Sequence, residues 1–127
     1  LGSNGQVIVD VIPSIEQIIG KQPEIKALNP TEAQHRFNRV FQNFIRVFCQ
    51  PEHPLVIFLD DLQWADSATL RLIKLLLADQ QAQHLFLIGA YRDNEVSATH
   101  PLILLLDDLQ SQAISIHQLT LKALSSD

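Results

Sequence analysis

An unbroken apolar run that ends in two acids places the strongest constraint on how this chain folds. The run is Leu55-Val56-Ile57-Phe58-Leu59, and Asp60 and Asp61 follow it directly. An apolar run without polar alternation is typical of a strand buried on both faces, as in a parallel sheet. Residues 85–90 form a second run of this kind, and a stretch with helical spacing separates the two. The sequence therefore predicts an α/β fold, a parallel sheet with flanking helices.

Apolar periodicity predicts three amphipathic helices, which cover about residues 30–49, 67–79 and 101–112. Asn29 is a good N-cap for the first helix, and Asp66 is one for the second. These caps fix where the helices begin.

A near-repeat of the acid-pair text lies inside the third of these helices. Residues 104–110 read LLLDDLQ, but their apolar residues are Leu rather than β-branched, and Pro101 suits a first helical position. We therefore expect this copy to be helical, with its acids on the solvated side.

Two weaker segments also predict strands. Residues 5–12, GQVIVDVI, are rich in Val and Ile and carry one charge, and residues 114–119 alternate like an edge strand. Residues 13–30 contain prolines and a glycine and predict a connection, with one short helical turn at Ile15–Ile19.

The acid pair is the best candidate for chemistry. In open parallel sheets, ligands bind outside the carboxyl ends of the strands, which directs attention to residues 60–66 and 91–94. Adjacent carboxylates repel each other unless a cation or hydrogen bonds compensate. Mg²⁺ takes one or two carboxylates and keeps several waters. Asp60 and Asp61 are therefore predicted to bind a metal ion.

Four apolar residues and an acid pair form the pattern of the Walker B strand of P-loop NTPases. LDDLQWAD at residues 59–66, a leucine-rich helix and GAYRDNEV at residues 89–96 together resemble the signal-transduction ATPases with many domains. More narrowly, the chain resembles the AAA-like ATPase module of large bacterial, often cyanobacterial, proteins that join a serine/threonine kinase domain to sensor and histidine-kinase domains. GQVIVDVIPSIEQIIGKQP at residues 5–23 resembles the same module, so the resemblance covers essentially the whole chain.

The resemblance implies ATP and Mg²⁺ as cofactors and gives each site residue a role. Asp60 holds Mg²⁺, and Asp61 polarises a water for attack on a phosphate. Arg92 reads the terminal phosphate, for which its planar fork is suited, and Asn94 positions a water.

Some of these residues also have a simpler, purely structural interpretation. The acid pair also fits a polar loop start after a strand, and Arg92 fits a surface ion pair with Asp93 or Glu95. Trp64 is predicted to pack under the loop rather than to stack on a nucleotide.

The phosphate-binding loop is not found in these residues. G-x-x-x-x-G-K-[ST] is needed, but the single Gly-Lys pair, Gly20-Lys21, has Ile15 and Gln22 at the other motif positions. The resemblance places the loop before Leu1 and a helical lid after Asp127. We therefore expect one partial domain over residues 1–127, a three-layer P-loop NTPase (ASCE-type) core without its central P-loop strand. Such a chain is expected to bind ATP weakly or not at all and to aggregate, so its own enzymatic activity stays open.

Composition and charge exclude some classes of binding partner and indicate the compartment. The net charge of −5 argues against a protein that coats nucleic acid. No apolar run approaches the ~20 residues that a membrane span needs. The single cysteine, Cys49, fits a reducing compartment, so we expect a cytoplasmic protein. The resemblance implies flanking kinase and sensor domains as partners and allows oligomerisation on activation.

Two other functions remain open. One is a degenerate, non-enzymatic interaction scaffold of the same fold. The other is a receiver domain, which needs its acid pair near the first strand and a late lysine, for which Lys122 is the candidate.

Overall fold

The structure is a computed structural model that describes residues 2–125. It contains two parallel strands with helices packed on one side of them. The elements are α1 (Gly5–Val11), α2 (Glu16–Ile19), α3 (Pro30–Phe48), β1 (Leu55–Leu59), α4 (Ser67–Leu77), β2 (Leu85–Gly89) and α5 (Pro101–Ser111). Short 3-10 turns lie at Gly2–Asn4, Pro13–Ile15, Leu62–Trp64 and Asp93–Glu95.

The two strands pair in parallel, with Leu55 opposite Leu85 and Leu59 opposite Gly89. The connection between them runs through α4. This β-α-β unit confirms the α/β class and places the ends of both strands at the same edge of the sheet.

One face of the sheet carries the core. Alternate strand residues pack with α3 and α4 in one cluster and with α4 and α5 in another; they are Leu55, Ile57, Leu59, Leu85 and Leu87. The buried helix residues Ile45, Leu76 and Leu102 anchor these contacts. The strands are thus fixed by helices from a single side.

The opposite face is exposed, so the prediction that both strands are buried on both faces is wrong. Phe58 and Phe86 are each 61% exposed, and Val56 and Ile88 lie beside them. Within residues 2–125, α3, α4 and α5 all contact the same face, and that arrangement leaves these apolar side chains uncovered.

The predicted helices and their caps are confirmed. The Asn29 side chain accepts a hydrogen bond from the Glu32 N–H at 2.9 Å and starts α3, and Asp66 accepts from the Thr69 N–H at 2.7 Å and starts α4. Each cap satisfies an N–H that has no partner within its helix.

The near-repeat of the acid-pair text is helical, as predicted. Residues 104–110 lie within α5. Asp107 is exposed, and Asp108 forms an ion pair with Lys74 of α4. The hydrogen bond from Lys74 holds the pKa of Asp108 below its ordinary value.

The strand predicted at residues 5–12 is wrong, because Gly5–Val11 is the helix α1. Val7 and Ile8 are buried against Val40 and Phe37 of α3. Relative to Ala, each Val or Ile lowers the stability of a helix by only a few tenths of a kcal/mol. Burying each such side chain stabilises the fold by about 1.5–3 kcal/mol. The packing surface on α3 therefore decides the conformation.

The strand predicted at residues 114–119 is also wrong. These residues have no regular structure, and Leu119 is exposed. The Ile114 N–H instead donates to the Leu109 carbonyl and closes the end of α5. A strand needs a neighbouring strand with which to form backbone hydrogen bonds, and these residues pair with none within the described part of the chain.

The short helical turn expected near Ile15–Ile19 is confirmed as α2 and the turn before it. None of the helices described here is long and apolar enough to cross a membrane.

Candidate functional site

The two acids lie in a loop at the carboxyl end of β1. Ala90, just after β2, donates its N–H to the Leu59 carbonyl at 2.8 Å, and its carbonyl accepts the Leu62 N–H at 3.0 Å. Asp60 and Asp61 are the residues between these two anchor points. The loop is therefore fixed to β2 on both sides while its two acids project from it.

The local conformation of this loop favours an acid at its tip. Asp61 has φ 53° and ψ 43°, the left-handed region that Asn and Asp tolerate better than most residues. The Asp61 N–H donates to Oδ1 of Asp60 at 2.8 Å. This hydrogen bond holds the Asp60 carboxylate against the turn.

Gln63 connects the acid loop to the end of the neighbouring strand. Its Nε2 donates to Oδ1 of Asp61 at 3.1 Å, and its Oε1 accepts the Arg92 N–H at 3.2 Å. The residue is only 7% exposed. The sequence-based prediction missed this residue; the one signal was a glutamine inside the LDDLQWAD text, and its burial depends on the tertiary fold.

Arg92 and Asn94 follow β2 at the same edge. The Arg92 side chain is 71% exposed, and its Nη1 lies 3.7 Å from Oε1 of Glu95. The ion pair expected as the simpler role is therefore present, and the phosphate-sensing role stays a prediction. Asn94 is exposed on the turn Asp93–Glu95.

Trp64 does not pack under the loop, so that prediction is wrong. Its side chain is 76% exposed at the end of the turn Leu62–Trp64. Leu62 fills the space beneath the loop instead, where it packs with Leu70 and Leu102. A leucine at the start of the turn already occupies the core, which leaves the indole outside.

The donor chemistry of the loop fits Mg²⁺. Within the described residues, the hydrogen bonds to Asp60 and Asp61 use Oδ1 of each carboxylate and leave Oδ2 open. Both residues are exposed. No cluster of three His, Cys, Asp or Glu residues suited to a metal occurs in the part of the chain described. With an open Oδ2 on each exposed carboxylate, the pair fits the one or two carboxylates that Mg²⁺ takes beside water and phosphate.

Gly20-Lys21 does not form a phosphate cradle. Gly20, with φ 77°, ends α2, and the next helix starts only at Pro30. The Gln22 amide donates to the carbonyls of Ile19 and Gly20. The backbone here ends a helix.

Comparison with known proteins identifies the family. The AAA ATPase domain family matches residues 5–88, which is more than half of the chain, and the chain belongs to this family. The matched range contains α1, the acid loop and most of β2. Arg92 and Asn94 lie beyond it.

The chain is also similar to hybrid signal transduction histidine kinase G of Dictyostelium discoideum. The two are 48% identical over 77 residues, which is 61% of this chain and 2% of that protein. The chain thus spans a very small part of this relative, whose source gives no support to the expected bacterial origin. No solved structure gives a significant match.

Proposed function

We propose that this chain is a segment of an ATP-binding and ATP-hydrolysing regulatory module in a multidomain signal-transduction kinase. Family membership and the name of the Dictyostelium relative support the proposal. The observation that carries it is the loop between Leu59 and Leu62, which holds two exposed carboxylates at the carboxyl end of a parallel strand. Binding sites in this class of sheet lie at that edge.

The positions of the two acids support the roles that the family resemblance implies. Asp60 would hold Mg²⁺ through its open Oδ2, and Asp61 would accept a hydrogen bond from the attacking water and orient it. Bound Mg²⁺ neutralises charge on the phosphate oxygens. Asp60 is already oriented by the Asp61 N–H, so little side-chain freedom is lost when the site is used.

The residues after β2 complete the proposal. Arg92 would exchange its exposed pair with Glu95 for the terminal phosphate, since an exposed pair contributes only about 0–1 kcal/mol. Asn94, on the adjoining turn, would position a water. The flanking domains of the longer protein are proposed to be a kinase and a sensor, with oligomerisation on activation.

The interaction scaffold remains the second candidate function. It is favoured by the Arg92–Glu95 pair, in which the proposed sensor arginine faces a neighbouring carboxylate. Membership of the AAA ATPase family argues against a receiver domain.

The test uses the full-length protein that carries this chain. Asp61→Asn should leave binding of a fluorescent ATP analogue unchanged and abolish phosphate release. Asp60→Asn should weaken binding that depends on Mg²⁺. The matched control is Asp107→Asn in α5, because Asp107 is the residue of the near-repeat that corresponds to Asp60. This substitution should change neither ATP binding nor phosphate release.

Two results would contradict the proposal. A wild-type protein that binds no ATP supports the scaffold. Undiminished hydrolysis in Asp61→Asn removes the assigned role of that acid.

A further inference from the structure

The side chain of Gln63 is a buried amide that uses both of its ends. The amide nitrogen is bonded to the Asp61 carboxylate and the amide oxygen to the Arg92 N–H. A buried polar group costs free energy unless it is hydrogen-bonded, so an amide in this position has to be held by its partners. The two partners lie at the ends of different strands.

We infer that Gln63 is a positioning residue that orients the Asp61 carboxylate and makes its orientation depend on the backbone at Arg92. The inference rests on the function proposed above, in which Asp61 acts on the attacking water. It assigns Gln63 no contact with substrate.

The geometry gives the physical reason. Asp61 sits at an exposed, left-handed loop position, where its carboxylate is free to rotate unless a neighbour holds it. Gln63 is the side chain that donates to this carboxylate within the described residues. A general base has to be within hydrogen-bond reach of its water and correctly aimed. Fixing Oδ1 through Gln63 also fixes the direction of Oδ2.

The Gln63 side chain also connects Asp61 to the region that follows β2. Arg92 is 29 residues away in sequence, and its N–H reaches Oε1 of Gln63 at 3.2 Å. A shift of the backbone at Arg92 would move the Gln63 amide and with it the Asp61 carboxylate. A phosphate that engages the Arg92 side chain and shifts the Arg92 backbone would thereby move the acid at the tip of the other strand.

The chain contains a matched control for this role. The pentapeptide LDDLQ occurs at residues 59–63 and again at residues 106–110. Gln110, the last residue of the second copy, is exposed on α5, whereas Gln63 is buried in the loop. Substitutions at the two glutamines change the same local sequence in different surroundings.

Two substitutions separate the two hydrogen bonds. Gln63→Met has a similar length and removes both of them. Gln63→Glu retains an acceptor for the Arg92 N–H, but its ionised carboxylate cannot donate to Asp61 and repels it. Both variants, with Gln110→Met as the control, are to be made in the full-length protein and checked for folding by thermal melting.

Steady-state ATP hydrolysis is the first readout. Both Gln63 variants should lower kcat by roughly tenfold or more, because a misaligned catalytic group loses much of its effect, and should leave KM for ATP within about twofold. Gln110→Met should match the wild type. A merely structural role would raise KM or lower the melting temperature instead of selectively lowering kcat.

Hydrogen exchange of the peptide that contains the Arg92 amide is the second readout, and it needs no activity. Exchange should accelerate in Gln63→Met and stay close to wild type in Gln63→Glu, which retains the acceptor. Equal exchange in all proteins would overturn the link to Arg92.

The failures are distinguishable. If the wild type hydrolyses ATP and the folded Gln63 variants retain its kcat, the inference alone fails. If the wild type hydrolyses no ATP, the proposed function fails and takes the inference with it.

Discussion

Cδ1 of Leu62 lies 2.5 Å from the place that a β-carbon on Gly89 would occupy. Leu62 starts the turn after the acid loop and is buried, and Gly89 ends β2. The glycine therefore lets the acid loop approach the second strand closely. The Ala90 backbone then holds the loop through Leu59 and Leu62.

Substitution of this glycine is expected to disturb the loop. Gly89→Ala forces the buried Leu62 side chain to move, and overpacking of this kind destabilises by about 1–3 kcal/mol. Urea unfolding followed by circular dichroism measures the change. Leu62→Val in the Gly89→Ala background should recover part of the loss, because the smaller side chain vacates the site. Strictly additive effects of the two substitutions would contradict direct contact.

Stability should fall in acid because of Asp79. Arg46 binds this carboxylate through two hydrogen bonds, Nε to Oδ2 at 2.6 Å and Nη2 to Oδ1 at 3.1 Å, and the Asp79 side chain is 4% exposed. The hydrogen bond from Arg46 holds the pKa of Asp79 below its ordinary value. The folded state thus binds a proton less readily than the unfolded state. The stabilisation is complete above the unfolded pKa of about 3.9 and is lost as pH falls through the lower folded value.

Removal of the arginine tests this linkage. Arg46→Met should lower the free energy of unfolding at pH 7 by about 2 kcal/mol, since a hydrogen bond to a charged group contributes about 1.5–3 kcal/mol. The variant should also lose much of the dependence on pH below about 4 that the pair confers. Arg39→Met, an exposed change on the same helix, is the control and should retain that dependence. Parallel pH profiles for all three proteins would show that the pair has no such role.

Cys49 should report opening of the core. Its side chain is buried beside Ile45 and Leu76, and burial raises the pKa of the thiol. Only the thiolate attacks alkylating reagents, so labelling of the folded chain should be slow and should follow unfolding. The labelling rate is measured by mass spectrometry over a urea series. Rapid labelling in the absence of urea would place the thiol outside the core.

The exposed face of the sheet should make the isolated chain prone to aggregation. Contiguous apolar surface of this kind promotes association, and Phe58 and Phe86 contribute the largest side chains to it. Replacing both by Thr should reduce light scattering on heating while the free energy of unfolding changes by less than about 1 kcal/mol, because Thr retains β-propensity. Ile57→Thr, on the packed face of the same strand, should instead destabilise the fold. A sharp, reversible melt of the wild-type chain that does not depend on concentration would contradict the expectation.

Much of the fold was predictable because its signals are local. The Asn29 and Asp66 caps bond to N–H groups three residues away, so each reads correctly from sequence alone. The apolar runs identified both strands and their parallel pairing. Exposure of one face of the sheet was not predictable in the same way, because a residue pattern reports what a strand tolerates and not which helices cover it.

The repeated pentapeptide LDDLQ distinguishes local effects of the sequence from effects of long-range packing. Flanking residues distinguished a strand end at Asp60 from a helix at Asp107, since β-branched neighbours precede one copy and Pro101 starts the other. Only the fold could bury Gln63 between the two strand ends and leave Trp64 exposed. The helix caps, the apolar strands and the amphipathic helix faces are specified by local energies and can be read from the residues alone. The helical state of residues 5–11 and the surroundings of the acid loop were set by long-range packing, because both depend on burial against residues far away in the chain.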